Sequence, residues 1–131
     1  MKFGTDGVRG PSEEFTDAFC FCLGRAAARV LGGPRMIIGT DTRASGPRIA
    51  AALAAGVAAE GVSPVGAGVV PTPAVAHASR TGNVPGAVVS ASHNPFSDNG
   101  VKFFASGGAK LDDDTEARLE AELEAELEVA S

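Results

Sequence analysis

Residues 36–46 read Met-Ile-Ile-Gly-Thr-Asp-Thr-Arg-Ala-Ser-Gly. The apolar run Met36–Gly39, with two isoleucines, predicts a short buried strand. It passes without a spacer into a polar segment, Thr40 to Gly46, and Pro47 then suits the first turn of a helix. Arg48–Glu60 is rich in alanine and ends at Gly61, which completes a strand, polar segment and helix in series.

Downstream the same order repeats. Val62–Val70 predicts a second strand running into Pro71-Thr72-Pro73, and a short helix follows over residues 74–80. Gly86–Ser90 predicts a third strand, the segment Ser90–Gly100 reads SASHNPFSDNG, and Val101–Ala105 predicts a fourth strand. Upstream, Phe15, Phe19, Cys22, Leu23, Ala26, Ala27 and Val30 fall at helical spacing. Thr16 or Ser12 would cap that helix, and Gly32-Gly33-Pro34 would stop it. Phe3–Gly10 (FGTDGVRG) reads as a tight, irregular turn, because three of its residues are glycine.

Alternating strands and helices predict a three-layer α/β/α domain with a mixed, mainly parallel sheet of about four strands. Ligands of such sheets gather beyond the carboxyl ends of the strands. The segments 40–46, 71–73 and 90–100 each follow a strand directly, so they are expected to converge on one edge. In the tail, Leu119, Leu123 and Leu127 recur among glutamates, and Asp113 with Glu116 reads as a capping pair. The expected organisation is a domain over residues 1–111 and an acidic amphipathic helix over 112–131 at a domain boundary, its glutamates forming a solvated face.

Composition bounds the function. The chain has 131 residues, 44% of them hydrophobic, with no Trp or Tyr, which suits one core packed through small side chains. A formal net charge of -5 argues against non-specific nucleic-acid binding. Arg9, Arg43, Arg48 and Lys102 nevertheless lie beside glycines and hydroxyls, so a local anion site stays open. Cys20 and Cys22 read as ordinary helix residues of a reducing compartment rather than a disulfide or zinc pair. The first residues are no signal peptide, and no apolar run reaches the roughly 20 residues that span a membrane, so a cytoplasmic location is expected.

Three segments carry chemistry. Ser90–Pro95 with Asp98–Lys102 groups hydroxyl, imidazole, amide and ammonium, which suits phosphate; a polar turn shaped by Asn94 and Pro95 suits the same residues equally. The G-x-S-x-G elbow of serine hydrolases is absent. FGTDGVRG reads either as an anion cradle built from backbone N–H groups and Arg9 or as a surface turn. Asp41–Gly46 reads as an anion-favouring helix N-terminus or as a cap cluster with Asp41 paired to Arg43, and Asp41 alone favours the cap.

Together, Phe3–Gly10 (FGTDGVRG), Gly39–Gly46 (GTDTRASG), Pro71–Ala74 (PTPA) and Ser90–Phe104 (SASHNPFSDNGVKFF) resemble the α-D-phosphohexomutase family, in family order and near family spacing. The resemblance covers nearly the whole chain but only the N-terminal part of a family enzyme. It implies that Ser92 carries a phosphoryl group, gives it to a hexose monophosphate, and recovers one from the resulting bisphosphate. It implies Lys102 as the preferred base, with His93 as a second proton carrier, and Arg9 as a clamp on the phosphoryl group. Thr5, Arg9, Asn94 and Lys102 are the implied phosphate and substrate contacts. Thr5, Asn94 and Asp98 also shape the loop, and Arg43 orients a carboxylate or anchors the metal loop. The implied cofactor is Mg²⁺, bound through the Ser92 phosphoryl group, but the family's D-G-D-G-D-R ligand segment is absent from this sequence. The sugar-selecting loop and the C-terminal phosphate-binding segment are absent too.

The implied partners are a hexosamine phosphate, its bisphosphate and the remaining domains, without which the chain is expected to be inactive. Ser90-Ala91-Ser92 and the GTDGVRG form favour the amino-sugar branch over mannose or glucose phosphates. The short stretch Pro11–Glu14 leads us to expect a different inner wall of the site. A non-catalytic sugar-phosphate-binding module, or a domain whose tail helix docks a partner, are the readings from other classes.

Overall fold

The computed structural model describes residues 2–4, 7–41, 46–90 and 98–130. Its elements, in order, are β1 (Lys2–Gly4), β2 (Gly7–Pro11), a 3-10 turn (Ser12–Glu14), α1 (Asp17–Leu31), β3 (Arg35–Thr40), α2 (Gly46–Ala59), β4 (Ser63–Val69), α3 (Thr72–Gly82), β5 (Gly86–Val89), β6 (Asp98–Ala105), β7 (Ala109–Lys110) and α4 (Asp113–Ala130).

One mixed sheet runs in the order β1-β2-β6-β5-β3-β4, with β7 also paired to β6. The three-layer α/β/α architecture is as expected, but the sheet among the described residues has seven strands rather than about four, and most of its pairings are antiparallel rather than parallel. Its parallel part is β4-β3-β5; the pairings of β6 with β5, β2 and β7, and of β1 with β2, are antiparallel. Most of Phe3–Gly10, read above as a turn, is a hairpin whose second strand extends the sheet. Glycine-rich strands carry little local signal, because their pairing partner, here β6, lies far away in sequence.

Alternation along the strands buries both faces. Met36, Ile38, Ala87, Val89, Val101 and Phe103 join a large core with α1, α2 and α4. Val88 and Phe104 form a smaller core with Val75 of α3, and Ile37 packs against it. Thr16 caps α1, its hydroxyl accepting the Phe19 N–H at 3.1 Å. Ser12 instead accepts from Asn99. Cys20 and Cys22 are free and buried, since α1 lies between α2 and α4, and burial pushes the Cys20 thiol up to about 11.

The tail helix also departs from expectation. Asp112, not Asp113, caps α4, accepting the Thr115 N–H at 2.7 Å. Leu119 and Leu123 are buried against α1 and Leu127 packs beside them. Glu122 and Glu126 do not form a solvated face: both reach Arg29, and Glu126 also lies 3.4 Å from Arg25. No helix of the described residues is long and apolar enough to cross a membrane.

Candidate functional site

Because β3, β4 and β5 are parallel, their carboxyl ends share one edge. Backbone hydrogen bonds join the described ends of the three polar segments there. Asp41 N–H donates to Val89 carbonyl at 3.0 Å, Val70 N–H to Thr40 carbonyl at 3.0 Å, and Ser90 N–H to Gly100 carbonyl at 2.8 Å. The expected convergence of segments 40–46, 71–73 and 90–100 therefore holds for the residues that bound them. Two helices, α2 and α3, begin at the same edge, and helix N-termini favour anions. Gly46 starts α2 against the side chain of Thr40: a Cβ at Gly46 would stand 2.7 Å from Thr40 Oγ1.

Beside this edge, β2 and β6 supply two cations. Arg9 lies opposite Gly100, and Lys102 lies opposite Val88 on β5. Side chains alternate along a strand, so Arg9, Gly100 and Lys102 share the sheet face that carries Val88 and Phe104. Arg9 is exposed and Lys102 half-buried. A Cβ at Gly100 would come 3.3 Å from Arg9 Cγ and 2.8 Å from the Ser90 carbonyl oxygen, so the bare glycine lets the arginine stem cross β6. Gly7 has φ +93°, and a Cβ there would meet Val101 O at 2.0 Å, so the start of β2 lies close against β6.

The stretch Pro11–Glu14 is held to the same strand. Pro11 pairs with Asp98, and buried Asn99 donates from Nδ2 to Ser12 Oγ at 2.7 Å. Sequence reasoning placed Asn99 and Gly100 in a chemistry-bearing stretch and Ser12 at a possible helix cap, but not the roles they take here; these follow only once the register places Gly100 and Asn99 opposite Arg9 and Gly10. Arg48 does not join the site: its guanidinium donates to the Phe15 carbonyl and to Asp17, both at 2.9 Å, and so ties α2 to the start of α1. Thr5, Arg43, Ser92, His93 and Asn94 lie outside the described residues. Among the described residues no three His, Cys, Asp or Glu side chains gather as metal ligands.

Residues 1–130 match the profile described as phosphoglucomutase/phosphomannomutase, alpha/beta/alpha domain I. The chain belongs to the phosphoglucomutase/phosphomannomutase family. Within this family it is 52% identical over 124 residues to a phosphoglucosamine mutase of Desulforudis audaxviator, an alignment covering 90% of the chain and 28% of that relative. A phosphoglucosamine mutase of Deinococcus radiodurans is 51% identical over 125 residues, with the same two coverages. A Thermus thermophilus structure described under the name phosphomannomutase superposes with a TM-score of 0.85 at 36% identity, over 94% of this chain and 30% of that one. A phosphoglucomutase/phosphomannomutase family protein of Burkholderia thailandensis gives a TM-score of 0.77 at 30% identity, over 95% and 31%. This family domain thus spans less than a third of the relatives it matches.

Proposed function

We propose that this chain is the phosphoserine-bearing domain I of a phosphoglucosamine mutase, a cytoplasmic isomerase that interconverts glucosamine 6-phosphate and glucosamine 1-phosphate. The observation that supports it is the joining of β5 to β6 at Ser90 and Gly100, with Arg9 opposite Gly100 and Lys102 two residues on. The segment that links those strands in sequence is the one that carries Ser92. Identity above one half to enzymes named phosphoglucosamine mutase supports the amino-sugar branch.

In this reading a sugar hydroxyl attacks the phosphorus carried by Ser92. The bond from phosphorus to the serine oxygen breaks as the bond to the sugar oxygen forms. Lys102, acting as the neutral amine, takes the hydroxyl proton and becomes the ammonium, and protonated His93 gives its proton to the departing serine oxygen. The bisphosphate then gives its other phosphoryl group back to Ser92 by the reverse step, so no phosphate is consumed. Phosphoryl transfer depends on positioning and charge neutralisation, and the planar Arg9 guanidinium supplies both to the non-bridging oxygens. Thr5 and Asn94 complete the phosphate contacts. The cofactor assigned to the site is Mg²⁺, which a phosphoryl oxygen on Ser92 and ligands from beyond this chain would hold, and which would neutralise charge on the transferred group. Residues 1–111 carry the residues assigned to catalysis, and the helix over 112–131, packed on the same core, stands at the boundary of this domain.

The test is turnover by the complete enzyme. Glucosamine phosphates are expected to outcompete mannose and glucose phosphates in kcat/KM. Intact-mass spectra are expected to show one phosphoryl group on the wild type and none on Ser92→Ala. Preference for mannose or glucose phosphates overturns the substrate assignment, and an active, phosphorylated Ser92→Ala enzyme overturns the role of Ser92.

A further inference from the structure

We propose that Phe104 is a positioning residue for Lys102, its ring holding the terminal nitrogen of the lysine in one orientation for the reaction. This rests on the phosphoryl-transfer reading above. Lys102 and Phe104 are two residues apart on β6 and so project from one face of the sheet. Lys102 Nζ lies 5.5 Å from the centre of the Phe104 ring, within the range of a cation–π contact.

The ring cannot follow the lysine. Phe104 is only 7% exposed and is locked against Val75 and Val88 in the smaller core, with Val88 directly opposite Lys102. A lysine side chain has a long, flexible stem with many rotamers. A fixed aromatic face selects few of them, and the nitrogen then meets its substrate with less ordering left to do. On this face the stem of Arg9 crosses β6 at Gly100, and the tip of Lys102 lies over the Phe104 ring.

Phe104 is also the largest side chain of its core, so a purely structural role is the rival account. A double-mutant cycle on the complete enzyme separates the two. Phe104→Leu is expected to lower kcat about three-fold to ten-fold with KM nearly unchanged, and Phe104→Tyr, which keeps the ring, to restore most of it. In a Lys102→Met background, Phe104→Leu is expected to cost nothing further. An equal loss in both backgrounds, or an unchanged kcat in Phe104→Leu, overturns the proposal.

A second readout does not need turnover. With lysine labelled at Cε by ¹³C, the ring current is expected to displace the Lys102 ε-CH₂ signal upfield, and Phe104→Leu to return it to the ordinary range. Absence of a displaced signal overturns the contact. A wild type that shows the displaced signal yet turns over no sugar phosphate overturns the phosphoryl-transfer reading, and the catalytic role of Phe104 with it.

Discussion

Gly24 of α1 and Gly56 of α2 are reciprocal contacts. A Cβ on Gly24 would stand 2.1 Å from the carbonyl oxygen of Leu53, and one on Gly56 would stand 2.0 Å from that of Phe21. The two helices therefore pack backbone to backbone, and Leu53 and Val57 reach the core fully buried.

Gly24→Ala and Gly56→Ala are each expected to destabilise the 131-residue chain. Alanine improves helix propensity by up to about 1 kcal/mol. Forcing the helices apart costs about 1–3 kcal/mol and outweighs it. Urea unfolding followed by circular dichroism measures the difference. Gly66→Ala, where an added Cβ meets nothing within 4 Å, is the near-neutral control.

The charge cluster between α1, the end of α2 and α4 predicts an acid-sensitive stability. Arg29 donates from Nε to Glu60 at 2.8 Å and Arg25 from Nε at 2.9 Å. Hydrogen bonds from Arg29, then Arg25, hold the Glu60 carboxyl below its ordinary value of 4.5. A folded-state value below the unfolded one stabilises the fold above the unfolded value, and that stability is lost as pH falls through the folded one. Glu60→Gln is expected to cost roughly 1 kcal/mol at neutral pH. Its deficit should vanish as the wild type is titrated downward from pH 4.5, giving Glu60→Gln the flatter acid limb in urea midpoints.

Thr16 is the cap of α1, so Thr16→Ala is expected to lower stability by about 1 kcal/mol and Thr16→Ser to leave it nearly unchanged. Chemical denaturation of the two variants decides between Thr16 and Ser12, the two caps that the residue types alone allowed.

Gly100→Ala tests the site rather than the fold. Its methyl group would press on the Ser90 carbonyl at 2.8 Å and on Arg9 Cγ at 3.3 Å. Small displacements of positioning groups are costly in phosphoryl transfer, so kcat of the complete enzyme is expected to fall about ten-fold or more. Unchanged kcat would show that neither the β5–β6 junction nor Arg9 bears on the chemistry.

Four of the strands and the four α-helices of the described residues were legible from apolar runs and spacing, alanine content and flanking glycine and proline, with ends displaced by a few residues. What was not legible depends on partners distant in sequence. β1 and β2 look like a glycine turn until β6 supplies their hydrogen bonds. Glu122 and Glu126 look solvated until α4 lies beside Arg25 and Arg29 of α1. Arg48 looks like a candidate anion ligand until α1 brings Asp17 to it. Within the site, the motifs named Arg9 and Lys102, whereas Gly100 and Phe104 acquire meaning only from register and side-chain placement.

The order of residues by itself determined the alternation of strands and helices, the buried character of β3 and β5, and the family, because these rest on local periodicity and contiguous motifs. Only the tertiary structure decided which strands pair, which glutamates meet arginines, and that Arg9 and Lys102 stand on one face beside the edge where three chain segments meet. Those relations join residues far apart along the chain, and no local rule of backbone conformation or residue type contains them.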